Sequence, residues 1–241
     1  MAKWMTLAAL AAVAISGCTP ARMNYAPSDQ RGYAQRPVVS ESLFKSDQKI
    51  VSNEAIRSIL NGRIELPDDC NVAVVQLHNG YFVRRAGREA AYLDALVGDL
   101  KKSEKVAGVT QIPDLLLPVA ASVPKLREAA ARLQCELILV CRINNRMNYR
   151  NRFLRKDTAK VRSSAEGLLI HTRTGIVPFT AVIDEEHKNT EKRADATEWD
   201  FSERASTEAT LCAMSTLGRS VKTFLDKGKP VEPRQQGGRC P

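Results

Sequence analysis

The chain has 241 residues and a formal net charge of +9, from 36 basic and 27 acidic side chains. With 44% hydrophobic and 26% charged residues, its composition excludes a fibrous or wholly disordered polymer and predicts a packed core. No apolar run reaches the roughly 20 residues that a membrane-crossing helix needs, and removal of an amino-terminal leader would leave enough chain for one ordinary domain.

The first element is a leader. Lys3 supplies a positive start, Trp4 to Ile15 is mostly apolar, and the small residues Ser16 and Gly17 close the run. That is the order of a secretory signal peptide, although an ordinary signal peptidase would favour an Ala-x-Ala ending. Here the small residues abut a cysteine, and Ile15-Ser16-Gly17-Cys18 resembles the lipobox of bacterial lipoproteins. The resemblance implies removal of residues 1–17, a thioether-linked diacylglycerol on Cys18, and acylation of the freed amine. One fatty chain gives only marginal anchoring, whereas the three implied here would hold the protein on a membrane stably. Thr19, rather than Asp, follows the cysteine, which by the same resemblance implies release to the outer membrane. The expected location is therefore the bacterial cell envelope, lipid-anchored (palmitate and related chains) and facing the periplasm.

Residues 18–45 are rich in Pro, Ser, Gln, Arg and Tyr with no apolar period, and read as a lipidated flexible tether averaging about 30 Å in length. The body is expected over 46–226 and a disordered tail over 227–241. Within the body, "NEAIRSILNG" has helical spacing, with Asn53 as cap, Ile56, Ile59 and Leu60 on one face and Gly62 as stop. "NVAVVQLH" (71–78) is a buried strand by its β-branched run, and Asn79-Gly80 is a hairpin turn leading to a short extra strand within 81–84. "REAAYLDALVGDLKKSEK" aligns Leu93, Leu96, Val97 and Leu100 on one helical face. "VAGVTQIP" is a short strand. "SVPKLREAAARLQ" is a helix with Ser122 near its cap, Pro124 in its first turn and Leu126, Ala130 and Leu133 inward. "CELILVCRI" (135–143) is a strongly apolar strand. Two strands follow at about 160–172 and 177–184, turned by Thr174-Gly175. A long helix near 202–225 carries Ala205, Ala209, Cys212, Leu217, Val221 and Phe224 or Leu225 on its core face.

This order predicts a single α/β domain, a two- or three-layer sandwich with a mixed sheet flanked by helices. The run "LREAAARLQCELILVCRI", the strand ending in "RTGIVPFTAVI" and the late helix together resemble the outer-membrane lipoprotein group that contains CsgG and LpoB. The amino-terminal domain of TolB has a similar fold. The likeness covers roughly residues 50–226.

No GxSxG elbow, P-loop, HExxH or GxGxxG occurs, so the reading is of a protein that is not an enzyme and takes no cofactor. His78, His171 and His187 are isolated; Asp68-Asp69 reads as a turn, and Asp184-Glu185-Glu186 as a solvated strand end. Without Cys18, five cysteines remain, an odd number whose pairing spacing alone leaves open. No cysteine or histidine has zinc-like spacing, so no metal is expected, and Cys141 and Cys212 read as free, buried small hydrophobes.

The informative stretch is "RINNRMNYRNRFLRKDTAKVR". Between Arg142 and Arg162 eight bases face one acid, Asp157, giving +7 and most of the chain's excess. Met147, Tyr149, Phe153 and Leu154 interleave with the bases, which suits an extended hairpin arm better than a plain loop. Arginine makes bidentate contacts with carboxylate or phosphate, and aromatics add amphipathic area. Arg146, Tyr149, Arg150, Arg152, Phe153 and Arg155 are the candidate partner-binding residues. The target could be an acidic envelope protein, anionic lipid head groups or the cell-wall polymer; nucleic acid fits the charge but not the exported compartment. The plainer alternative is a solvated hairpin whose bases pair with the acidic 184–204 segment, each exposed pair contributing about 0–1 kcal/mol. A CsgG-like pore is disfavoured, because arginines on a lipid-facing strand would each cost about 2–4 kcal/mol at the midplane. An LpoB-like accessory protein, with lipid foot, tether and docking domain, matches the plan better.

Overall fold

The computed structural model describes residues 53–61, 66, 68–78, 81–82, 87–117, 122–150, 158–190, 192, 195 and 197–228; side chains at 53, 55, 58, 78, 81, 82, 149 and 150 lie outside the described set. The chain divides into two units, residues 1–37 and 38–241, and every described residue belongs to the second. The leader, Cys18, the tether and the tail from 229 onward lie outside the described residues.

The elements run α1 (Asn53–Asn61), β1 (Cys70–His78), β2 (Tyr81–Phe82), α2 (Arg88–Leu100), β3 (Val106–Gln111), α3 (Val123–Arg132), β4 (Leu137–Arg150), β5 (Thr158–His171), β6 (Phe179–Thr190) and α4 (Glu198–Lys227), with one 3-10 turn at Asp114–Leu116. One edge of β1 is shared by β3, parallel along Cys70–Val74, and by β2, antiparallel at Leu77 and His78. Its other edge pairs in parallel with β4, from Val72 against Leu137 to Leu77 against Arg142. Beyond β4 the sheet continues antiparallel through β5 to β6, so it is mixed.

The strands alternate between two faces, and each face has its own helices. On one face, Val72, Val74, Leu137, Leu139, Cys141, Ala165, Leu169 and Ile183 pack against Leu93, Leu96 and Leu100 of α2 and Met214, Leu217 and Val221 of α4. On the other, Ala73, Val75, Leu77, Ile138 and Val140 pack under Val123, Leu126, Ala129 and Ala130 of α3. The domain is thus a three-layer α/β sandwich, each fully buried Leu or Ile contributing about 1.5–3 kcal/mol. α3 covers β1, the first half of β4 and the end of β5 at Ile170, so β1 and the start of β4 read as unbroken apolar runs, whereas β6 and the rest of β5 alternate.

Several elements depart from their expected bounds. β4 starts two residues later than the apolar run and continues to Arg150, since pairing with β5 holds its polar half extended. Asp184, Glu185 and Glu186 lie inside β6, not at its end, because the ladder with β5 continues to Thr190 against Thr158. α2 stops at Leu100: the Ser103 amide bonds the Leu100 carbonyl, and the Ser103 hydroxyl donates to Asp226 at 2.5 Å. α4 begins earlier, at Glu198, where the Thr197 hydroxyl accepts from the Asp200 amide at 3.1 Å and the Asp200 carboxylate accepts from the Thr197 amide at 3.0 Å. The apolar residues of α1 are exposed, Leu60 at 78%, rather than part of the core. Among the described residues no helix is long and apolar enough to cross a membrane.

The cysteine reading also needs one correction. Cys141 is free and buried, and burial pushes its thiol up to about 12. Cys212 is not free but disulfide-bonded.

Candidate functional site

Where α3 ends its coverage, the same sheet face opens to solvent and carries polar side chains. Alternation places Arg142, Asn144, Arg146 and Asn148 of β4, Lys160, Arg162, Ser164 and Glu166 of β5, and Asp184, Glu186 and Lys188 of β6 on this open face. The opposite face of the same segment is backed by α4: Ala159 and Val161 pack against Phe201, Ala205 and Ala209. The Asn145 side-chain amide donates to Ser206 at 3.2 Å and Thr210 at 2.8 Å. Arg204 locks the start of α4, reaching Asp195 at 2.9 and 2.7 Å and Glu208 at 3.2 Å. The Arg204 hydrogen bond in turn holds the Asp195 carboxyl at about 2, below the ordinary carboxylate value.

Most charges on the open face neutralise one another. Arg142 forms a bidentate pair with Glu166, directly opposite on β5, at 2.8 and 2.7 Å. Lys160 faces another cation, Lys188, and reaches diagonally to Glu186 at 2.9 Å; Arg162 reaches diagonally to Asp184 at 3.8 Å. Part of the plainer alternative is therefore present: the arm does pair with the acidic segment. Arg146 and Lys188 remain without an ion pair among the described residues, and Arg146 is exposed opposite Arg162. Among the described residues the result is a surface with a carboxylate-paired centre and one cation on β4, Arg146, without an ion pair.

Of the residues expected to bind a partner, Arg146 stands on this face. Tyr149 and Arg150 have their backbones in the ladder, opposite Ala159 and Thr158, with side chains outside the described set. Arg152, Phe153 and Arg155 lie outside the described residues, as does Cys18. The pairing of Arg142 with Glu166 and the placement of Lys160 and Arg162 beside Arg146 were missed. Their signal is the period of two that puts every even-numbered residue of β4 and β5 on one face.

Other chemistry-bearing groups sit apart. Glu185, His187 and Cys212 bring three potential ligand atoms within 4.8 Å of one another. The Cys212 sulfur is already in a disulfide, and Glu185 accepts a hydrogen bond from Thr216 at 3.1 Å, so the group lacks the thiolate that would make it a strong metal site. His171 Nδ1 and the Thr174 hydroxyl are hydrogen-bonded at 2.9 Å; burial, then Arg173 and Arg127, hold the His171 pKa below the ordinary imidazole value.

No family model matches the chain, and no curated protein does. Solved structures are similar in part. The PelC dodecamer from Paraburkholderia phytofirmans aligns at 17% identity over 66% of this chain and 95% of that one, with a TM-score of 0.32. Lipoprotein GNA1162 from Neisseria meningitidis aligns at 13% over 52% of this chain and 88% of that one, TM-score 0.34. A minor lipoprotein from Acinetobacter baumannii aligns at 8% over 68% of this chain and 96% of that one, TM-score 0.33. Likeness at this level carries nothing about the fold, ligand or partner of this chain.

Proposed function

We propose that this chain is a non-enzymatic lipoprotein of the bacterial envelope, anchored through Cys18 at the outer membrane, facing the periplasm, and docking on an envelope protein in the manner of the CsgG/LpoB-like group. Arg146 carries the reading. An exposed guanidinium with no carboxylate partner among the described residues, on a strand backed by α4 in a stretch of sequence that also holds Arg150, Arg152 and Arg155, is suited to grip an acidic surface. The chemistry of the buried thiols agrees with a non-catalytic role, since burial raises Cys70 to about 11 and Cys141 to about 12 and so keeps both protonated. The test is crosslinking in intact cells followed by pull-down: a defined envelope protein should be captured, and charge reversal at Arg146, Arg150 and Arg152 should abolish the capture. Palmitate labelling of the unaltered chain, absent from Cys18→Ser, tests the anchor.

A second reading, a self-assembling CsgG-like subunit, is favoured by one observation: among the described residues both the polar half of β4 and the whole outer edge of β6 lack a neighbouring strand. Native mass spectrometry showing a closed ring would decide for it. Salt-sensitive binding to anionic vesicles would instead indicate a lipid-binding module.

A further inference from the structure

β1 leaves β4 after Arg142, and from Ile143 to Arg150 the only ladder partner of β4 among the described residues is β5. These eight residues of regular strand have a backbone edge with no strand partner among the described residues. Such edges template the addition of another strand unless something blunts them. Side-chain chemistry along this edge alternates. Asn144, Arg146 and Asn148 stand on the open face; Ile143, packed at the margin of the core, and Met147, 42% exposed, stand on the other. The outer edge of β6 differs, because its Asp184 and Glu186 are already engaged by Arg162 and Lys160.

We infer that the Ile143–Arg150 edge of β4 accepts an extended acidic segment of the partner protein by strand addition, with a carboxylate facing Arg146 on the open face and apolar side chains beside Ile143 and Met147 on the other. The inference rests on the partner-binding reading above and adds its mode. Charge complementarity selects the occupant: directly opposed side chains on neighbouring strands sit about 4.5–5.5 Å apart, within reach of a guanidinium–carboxylate pair. A basic or uncharged strand would leave Arg146 unpaired or repelled. Arginines on an edge can also serve simply to deter aggregation, and the experiment separates the two roles.

The full chain in detergent is titrated against a fluorescent, end-capped octapeptide alternating Glu and Val, the same peptide N-methylated at alternate backbone nitrogens, and an octapeptide alternating Lys and Val. Strand addition predicts binding of the first alone, weakened about tenfold or more by Arg146→Glu, with slowed amide exchange confined to residues 143–150. Equal binding of the N-methylated peptide, binding of the Lys-Val peptide, or no binding at low salt would overturn it. So would a ring oligomer that Arg146→Glu dissolves, because a second copy would then fill the edge. If Arg146→Glu still abolishes crosslinking of an envelope protein while the Glu-Val peptide fails to bind, the docking reading stands and strand addition falls.

Discussion

Arg146 on β4 stands directly opposite Arg162 on β5, yet only Arg162 has a carboxylate within 4 Å among the described residues, that of Asp184 at 3.8 Å. Opposed like charges on neighbouring strands destabilise a sheet. A fold optimised for stability alone would place an acid at one of these positions.

Arg146→Glu should therefore raise stability slightly, by about 0.2–1 kcal/mol, while abolishing capture of the partner. Thermal unfolding and in-cell crosslinking measured on the same variant check both halves. Unchanged capture would remove Arg146 from the binding face.

Gly218 of α4 crosses α2 so closely that a Cβ there would stand 2.8 Å from the Leu96 carbonyl oxygen and 3.0 Å from the Asp99 Cβ. Alanine in place of glycine within a helix ordinarily stabilises by about 1 kcal/mol. At Gly218 the sign should reverse, with Gly218→Ala costing about 1–3 kcal/mol as the helices are pushed apart. Gly98 on α2 has open space around it, so Gly98→Ala should stabilise. Denaturant unfolding of the two variants side by side gives opposite shifts if the crossing is as close as described.

The Asp195 carboxyl is held at about 2 by its hydrogen bond from Arg204. A carboxyl whose folded value lies below its unfolded value of about 3.9 contributes stability that is complete above that unfolded value and lost as pH falls through the folded one. The clamp on the start of α4 should thus persist at pH 5 and weaken between about 4 and 2. Asp195→Asn should remove that part of the acid dependence. Carboxyl-carbon NMR titration reads the midpoint directly, and a midpoint near 4 would contradict the geometry.

Thiol chemistry should divide the cysteines. Native protein at pH 7.5 should leave Cys141 unmodified by a maleimide, since its sulfur is buried and donates to the Val75 carbonyl at 3.5 Å. Cys212 should become reactive only after reduction and unfolding. Mass mapping with and without reductant distinguishes them; rapid native labelling of Cys212 would mean its disulfide does not form.

The element types were legible because they follow from periods of two and 3.6 residues, which depend on near neighbours. The apolar run at Leu137–Val140 is a strand buried on both faces, and Leu93, Leu96 and Leu100 do line one side of α2. Capping chemistry was only partly legible: Ser122 precedes α3 as expected but makes no side-chain cap, while Thr197 and Asp200, unremarked in the sequence, start α4. The composition of the basic stretch suggested extended backbone, and Arg142–Arg150 and Thr158–Arg162 do lie on paired strands, held within the sheet by β6 and α4 rather than projecting from it. Which of its described bases would pair with a carboxylate was not legible.

Sequence alone pointed to one α/β body and showed that most of the excess positive charge lies between Arg142 and Arg162. Tertiary structure decided the register that sets Arg142 against Glu166 but Arg146 against Arg162, the coverage of α3 that leaves their face open, and the edge of β4 that has no strand partner beyond Arg142 among the described residues. The reason is physical: helix and strand periodicity is fixed within a turn or two of chain. Register, by contrast, is set by contacts between residues tens of positions apart, and a slip of one would turn every side chain to the other face.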